Sequence, residues 1–260
     1  MCFDGDIMAE RTLIFIPTYN ERENLEPIYN RIRKQDFRAD LLVLDDHSPD
    51  GTGEIANRLA SRDKGVYVIH RGGKNGIGSA HRDGLRWANG RGYTYLVTMD
   101  CDFTHQPEDI PAFLAAAEEA DVVVGSRYMN PASLSEWSFF RRIVTVFAHF
   151  LTKHLLKLPQ DTSGAFRLYR LDRIPYEVFE KAASNGYAFF FESLHVLALN
   201  GYSIREIPII LPARSCGRSK MTVADAVRGL WKLFETAFRV RLNRKDYLVS
   251  KPSPSRSAAR

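Results

Sequence analysis

The sequence predicts an α/β fold, a mixed, mainly parallel sheet with helices on both faces. Short apolar, β-branched runs recur through the first half of the chain. Each run is followed by a polar, turn-rich loop and then by apolar residues at helical spacing. Carboxylates, hydroxyls and a lysine gather just after the runs, and open α/β sheets bind ligands beyond the carboxyl ends of their strands.

After a loose leader (residues 1–10), residues 12–17 (TLIFIP) read as a buried strand. Thr18, Tyr19, Asn20 and Glu21 follow, and then a helix through Leu25, Ile28 and Ile32. Residues 41–44 (LLVL) form a second strand that ends in Asp45 and Asp46, and the turn residues HSPDGTGE open a helix through Ile55, Ala56 and Leu59. A third strand at 66–69 (VYVI) leads through the basic, glycine-rich RGGKNGIG into a helix with Ala80, Leu85 and Trp87. The fourth strand is residues 95–99 (YLVTM).

Residues 106–111 start a helix through Phe113, Leu114 and Ala117, and 122–124 lead into Gly125, Ser126, Arg127 and Tyr128. Residues 137–158 are an amphipathic helix, with Phe140, Ile143, Phe147, Leu151, Leu155 and Leu158 on one side. Arg142, Thr145, His149 and Lys153 take the other side. Such a stripe serves equally as core or as a face lying in a membrane interface. DTSGAFRLYR (161–170) and GYAFFFE (186–192) carry no period that assigns an element; a helix near 176–183, a strand around 204–211 and a long helix through Val227, Leu230, Trp231, Phe234 and Phe238 complete the chain. The expected organisation is one domain over 11–221, a C-terminal amphipathic helix over 222–246 and a disordered tail over 247–260.

A chain of 260 residues, 45% hydrophobic and 26% charged, has enough apolar material for a sizeable core. Its three cysteines are odd in number and fall at no metal-ligand spacing, so the composition fits a reducing, cytoplasmic compartment without a disulfide framework or a zinc site. The first residues carry acids where a signal peptide needs a basic start, and no run approaches the roughly 20 apolar residues that span a bilayer. The net charge is +5, and the basic excess lies beyond Arg127, interleaved with Phe, Trp and Leu. Phosphates or an anionic membrane surface are the expected partners of such a half. Basic residues scattered among lipophilic helices, with no aromatic stacking platform on strands, argue against nucleic acid.

Asp100 and Asp102 flank Cys101 at the end of the fourth strand, and in extended backbone residues i and i+2 point the same way. Two converging hard oxygen ligands suit Mg²⁺ or Mn²⁺ holding a diphosphate; Asp-x-Asp alone also reads as a turn. With Tyr19 and Glu21, Asp45 and Asp46, and Lys74 at other strand ends, the set describes a nucleotide site. It is neither a Rossmann fingerprint nor a P-loop. Arg127, Arg141, Arg214 and Lys220 open or follow elements in the basic half and suit phosphate oxygens, whereas Arg142 and Arg218 read as solvated. Asp161 and Glu192 are candidate salt-bridge partners for Arg214 and Lys220.

FIPTYNERENL, LDDHSPDGT, the Gly76-Ile77-Gly78 loop, DCDFTHQPEDIP, GSRY, DTSGAFRLYR and RSCGRSKM, in this order, resemble the family-2 inverting glycosyltransferases, and among them the polyprenol-phosphate (dolichol-phosphate) mannose synthases. The likeness runs from about residue 12 to residue 238. It implies a GT-A fold, GDP-mannose as donor, a divalent metal and a polyprenyl monophosphate acceptor. It also implies that Pro17, Tyr19, Glu21, Asp45 and Asp46 hold the nucleotide, and that Asp100 and Asp102 are the metal motif. Thr104 stands at a metal-ligand position where some members have Gln. Arg127, Arg141, Thr145, Arg214 and Lys220 would grip donor and acceptor phosphates, with Asp100, Asp102, Arg127 and Lys220 as the catalytic set. His47 and His149 each replace a common Asn, and Phe190 a usual Gln. The implied enzyme works peripherally at the cytoplasmic membrane face, with or without a separate anchoring subunit. Two alternatives stay open: hexosyl transfer from another nucleotide sugar to a polyprenyl phosphate or a glycan, and a catalytically silent GT-A binding domain.

Overall fold

The computed structural model describes residues 10–135, 137, 139–212 and 222–249, without the side chains of Phe140, Arg141 and Val223. Seven strands form one sheet: β1 (Thr12–Thr18), β2 (Asp40–Asp45), β3 (Val66–His70), β4 (Tyr95–Thr98), β5 (Val122–Ser126), β6 (Arg167–Arg170) and β7 (Ile204–Pro208). Their order is β3-β2-β1-β4-β6-β5-β7. All neighbours run parallel except at β6, which is antiparallel to β4 and to β5. The sheet is therefore mixed and mainly parallel, as expected. The reversed strand has a positional consequence. Arg167, its first residue, pairs with Thr98, the last of β4, so the segment before β6 enters from the edge where the parallel strands end.

Strand residues divide between the two faces with period two, which is why these strands read as continuous apolar runs. Leu13, Phe15, Leu42, Leu44 and Leu96 pack on one face under α3 (Ile77–Asn89), α6 (Tyr176–Glu180), α7 (Ala188–Leu199) and α8 (Val223–Leu242). Ile14, Ile16, Leu41, Val43 and Val97 pack on the other under α1 (Arg22–Arg33), α2 (Thr52–Arg62) and α4 (Ile110–Ala116). The connection from β3 to β4 crosses over β2 and β1, so the strand order reverses between β1 and β4. Ligand crevices of such sheets open at that reversal, beyond the strand ends.

Two segments without a sequence assignment are regular. GYAFFFE runs into α7, whose residues 188–197 are all buried, and a helix enclosed on every side has no amphipathic period to read. DTSGAFRLYR supplies β6, with the Arg167 side chain wholly buried. Its Nε donates to Gly164 O (2.8 Å), and its terminal nitrogens donate to Thr162 O (2.9 Å) and Ser193 Oγ (3.1 Å).

Helix α5 (Phe139–Leu156) turns its Thr145 and His149 side inward along its first turns and packs Leu151 and Leu155 on the core near its end. Thr152 and Leu156 are buried and Thr145 and His149 are half-buried, while Ile143, Val144, Val146, Phe147 and Phe150 are exposed. Helix α8, opened by a capping box between Thr222 and Asp225, lies beside it. It buries Leu233, Thr236, Ala237 and Val240, and exposes Val227, Leu230, Trp231 (75% exposed), Phe234, Phe238 and Leu242.

Glu192, buried on α7, anchors α8: its Oε1 accepts from Thr236 (3.3 Å) and lies 3.6 Å from Lys232 Nζ. Its Oε2 accepts from the Ser184 N–H at 2.9 Å. Residues 247–249, expected in the tail, are tied back to Asn200, which donates to Tyr247 O (2.8 Å) and accepts from Val249 N (2.8 Å).

Candidate active site

The ends of β1 and β2 are locked together. Thr18 Oγ1 donates to Asp45 Oδ1 (3.2 Å), and the Ser48 N–H and hydroxyl donate to the same carboxylate at 3.0 and 2.5 Å. Asp46 pairs with Arg71 at 2.5 Å, both side chains being less than 10% exposed, and Arg71 reaches on to Ser79 Oγ (2.7 Å) and Asp83 (3.2 Å). Both candidate nucleotide carboxylates thus also fix the loops around the crevice. Glu21 forms the entry to α1 and accepts from Asn24 at 2.6 Å. Half-buried Pro17 precedes it at the end of β1. Lys74, from the loop between β3 and α3, carries its Nζ 4.3 Å above the Tyr19 ring, joining two expected nucleotide residues that are 55 positions apart.

Gly76 and Gly78, where that loop enters α3, serve close approach of backbone. A Cβ on Gly76, whose φ is +93°, would lie 2.4 Å from Asn185 O, and one on Gly78 would lie 2.4 Å from Ser184 O. The Gly78 and Ser79 amides donate to Asn185 O at 2.7 and 3.3 Å. The first amides of α3 are thereby taken by protein, so this loop is unlike a P-loop, whose amides cradle phosphate.

At the end of β4 the chain turns sharply through Phe103, a non-glycine residue at φ +62°. Thr104 donates to Asp102 Oδ1 from both its hydroxyl (2.5 Å) and its amide (3.2 Å), and Gln106 Nε2 donates to Phe103 O (2.5 Å). Thr104 is so placed as the partner that orients Asp102. The Asp100 N–H donates to His105 Nδ1 at 2.9 Å.

Across the crevice, Arg127 follows β5 and pairs through Nε with Asp161 Oδ2 at 2.7 Å. Burial opposes charge on both partners; the mutual attraction prevails, holding the Asp161 carboxyl below its ordinary pKa and the Arg127 guanidinium above its own. Asp100 contributes to the field on Arg127, which links the β4 and β5 ends electrostatically. The reversed β6 accounts for Asp161 being there, since the segment preceding it arrives at this edge. Tyr128 donates to Thr145 O (3.2 Å) and stacks on His149 at 4.1 Å between ring centroids, which fastens α5 to the site.

The structure therefore gathers Tyr19 with Lys74, Asp45 and Asp46 at adjoining loops, Asp100 and Asp102 on the loop after β4, and Arg127 after β5 within the field of Asp100, with Thr145 behind Tyr128. Arg214, Lys220 and the Arg141 side chain lie outside the described residues. Among the described residues Asp161 pairs with Arg127 and Glu192 with Lys232, and their expected pairing with Arg214 or Lys220 falls outside the described residues. Sequence reasoning gave no role to Arg71, His105 or Arg167; His105 stood inside the carboxylate stretch, and a charged residue in a strand pattern was the signal for Arg167.

Among the described residues no three His, Cys, Asp or Glu side chains cluster as a complete ligand set. Two carboxylates on one tight loop suit Mg²⁺ or Mn²⁺, which keep several waters and take one or two carboxylates with substrate phosphates; they do not suit structural zinc.

Sheet order, crevice and carboxylate pair define a protein of the GT-A class. The chain belongs to glycosyltransferase family 2: residues 13–174 match the family model described as glycosyl transferase family 2. It is similar to the polyprenol monophosphomannose synthase of Mycolicibacterium smegmatis, with 37% identity over 93% of this chain and 92% of the relative. It is also similar to the undecaprenyl-phosphate mannosyltransferase of Micrococcus luteus, with 38% identity over 84% of this chain and 91% of the relative. Among solved structures, a mannosyltransferase of Pyrobaculum calidifontis in complex with GDP-mannose and Mn²⁺ superposes with a TM-score of 0.56 at 17% identity, over 88% of this chain and 64% of that one.

Proposed function

We propose that this protein is an inverting, metal-dependent glycosyltransferase that moves mannose from GDP-mannose to a polyprenyl monophosphate at the cytoplasmic face of a membrane. The observation that carries the reading is the carboxylate pair Asp100 and Asp102 on the tight loop after β4, with Thr104 holding Asp102. Relatives that match nearly the full chain and bear polyprenyl-phosphate mannosyltransferase names support the sugar and the acceptor. The fold neighbour in complex with GDP-mannose and Mn²⁺ is compatible with the donor and the metal.

In this reading Pro17, Tyr19, Glu21, Asp45, Asp46 and Lys74 surround the nucleotide, and Asp100 and Asp102 hold the metal with Thr104 steadying Asp102. A bound divalent ion neutralises charge on the departing diphosphate. An acceptor phosphate oxygen attacks the anomeric carbon as its bond to the GDP β-phosphate oxygen breaks, inverting the configuration. A phosphate monoester, with a second pKa of about 6, reaches neutral pH mostly as a dianion, so no side chain has to remove a proton. Arg127, Arg141, Thr145, Arg214 and Lys220 then position the two phosphates, and arginine's planar fork suits that task.

The outward apolar residues of α5 and α8, rimmed by exposed Arg142, Lys153, Arg228, Arg239 and Arg241, support peripheral contact with an anionic bilayer. No helix among the described residues is long and apolar enough to cross one.

The test is transfer from labelled GDP-mannose or UDP-glucose to a short polyprenyl phosphate. Mannolipid forming with Mg²⁺ or Mn²⁺, stopping on chelation and lost in Asp102→Ala is the expected result. Undiminished transfer after chelation, or label from UDP-glucose only, overturns the reading.

A further inference from the structure

The loop that carries the carboxylate pair closes on a histidine. Phe103 turns the chain back, and His105 comes to rest with Nδ1 2.9 Å from the Asp100 amide nitrogen and 3.9 Å from Asp100 Oδ2. Only 5% of His105 is exposed; its ring stacks on Phe166 with centroids 4.9 Å apart and planes 20° apart, and Phe166 packs in turn on Phe113 at 4.3 Å. The imidazole therefore has one orientation, set by the core beneath the site.

A nitrogen that accepts from an amide carries no proton. The donation from Asp100 fixes His105 as the neutral tautomer with its proton on Nε2. An Nδ1–H would meet the Asp100 N–H head on.

We propose that His105 is a positioning residue for the carboxylate pair: its neutral Nδ1 holds the Asp100 amide, and so sets the direction in which Asp100 and Asp102 present their oxygens. This deepens the proposed function and rests on its reading of Asp100 and Asp102 as the metal seat. Neighbouring bonds work to the same end, since Thr104 fixes Asp102 and Gln106 fixes the Phe103 carbonyl. The His105 bond reaches from the far side of the turn back to the first carboxylate residue.

The experiment compares Mn²⁺ uptake with GDP, followed by electron paramagnetic resonance, in the wild-type protein, His105→Phe and His105→Asn. Phe keeps a ring against Phe166 and removes the acceptor; Asn puts Oδ1 near the position of Nδ1. Loss of such a supporting bond typically weakens metal binding by roughly 10- to 100-fold. That loss is expected for Phe, and Asn is expected to restore most of the affinity. Wild-type uptake equalled by His105→Phe overturns the inference alone. So do two variants equally weak with unchanged melting temperatures, because an acceptor returned at that position would then recover nothing. A wild-type protein that takes up no Mn²⁺ overturns the metal reading as well. Nitrogen-15 spectra of histidine-labelled wild-type protein decide the tautomer without any substitution: an unprotonated Nδ1 at His105 is expected, and an Nδ1–H signal overturns the proposal.

Discussion

Arg127 and Asp161 are a buried pair, with 12% and 1% of their side chains exposed. Removing one charge leaves the other uncompensated, a loss of about 3–5 kcal/mol in comparable pairs. Asp161→Asn is therefore expected to lower the guanidinium-chloride midpoint markedly at pH 7 while the denaturant slope stays unchanged. The pH sign follows from the Asp161 carboxyl, which burial would raise but which Arg127 and Ser163 hold below the ordinary value. A depressed folded pKa gives stability that is complete above the unfolded carboxylate pKa, about 4, and is lost as pH falls through the folded value. The gap between wild type and Asp161→Asn should accordingly close in that acid range, and a gap that persists there contradicts the account. At this scale Asp100 and Asp102 were legible, because a one-residue spacing after an apolar run converges two side chains. The partnership of Arg127 and Asp161 was not, since residues 34 apart meet only through the reversal of β6.

Among the elements, α5 and α8 show what a period reveals and what it conceals. The amphipathic spacing announced both helices, but periodicity gives two faces without saying which is inside. In α5 the Thr145, His149 and Thr152 side meets the protein, and Phe147 and Phe150 are turned out. If that face rests on lipid, Phe147→Asp together with Trp231→Asp should leave the melting temperature unchanged and abolish sedimentation with anionic vesicles. Each buried aromatic is worth roughly 1.5–3 kcal/mol, so the pair corresponds to at least about a hundredfold in partitioning. Unaltered sedimentation would remove the two helices from the membrane reading. The illegible elements failed for opposite reasons: α7 is buried all round and lacks a period, whereas β6 carries two arginines that strand patterns exclude. Arg167 is tolerated because carbonyls and a hydroxyl receive its donors, and Arg170 because Asp172 pairs with it at 2.9 Å.

For the molecule as a whole, two buried histidines set the acid limit. Burial, with a smaller contribution from Arg167, pushes His81 down to about 3, and burial pushes His195 down to about 4. Both stay neutral in the folded state while the unfolded chain takes up protons below about pH 6.5. Stability should therefore fall as pH drops below that value, by roughly 1.4 kcal/mol per unit for each histidine until its folded pKa is reached. Denaturant melts at pH 7.5 and pH 5 would show the drop, and His81→Phe should shrink it; an undiminished drop would place the acid sensitivity elsewhere. Glu192 has a consequence at the same scale. One buried carboxylate receives Ser184, beside the loop that carries Lys74, and Thr236 and Lys232 of α8. Swinging α8 away would strand that charge, so the helix is a fixed floor rather than a hinged arm. If the outward aromatics rest on a membrane as proposed, α8 cannot swing to carry the carboxylate pair toward it, and the acceptor would have to cover the intervening distance by its own length and suppleness.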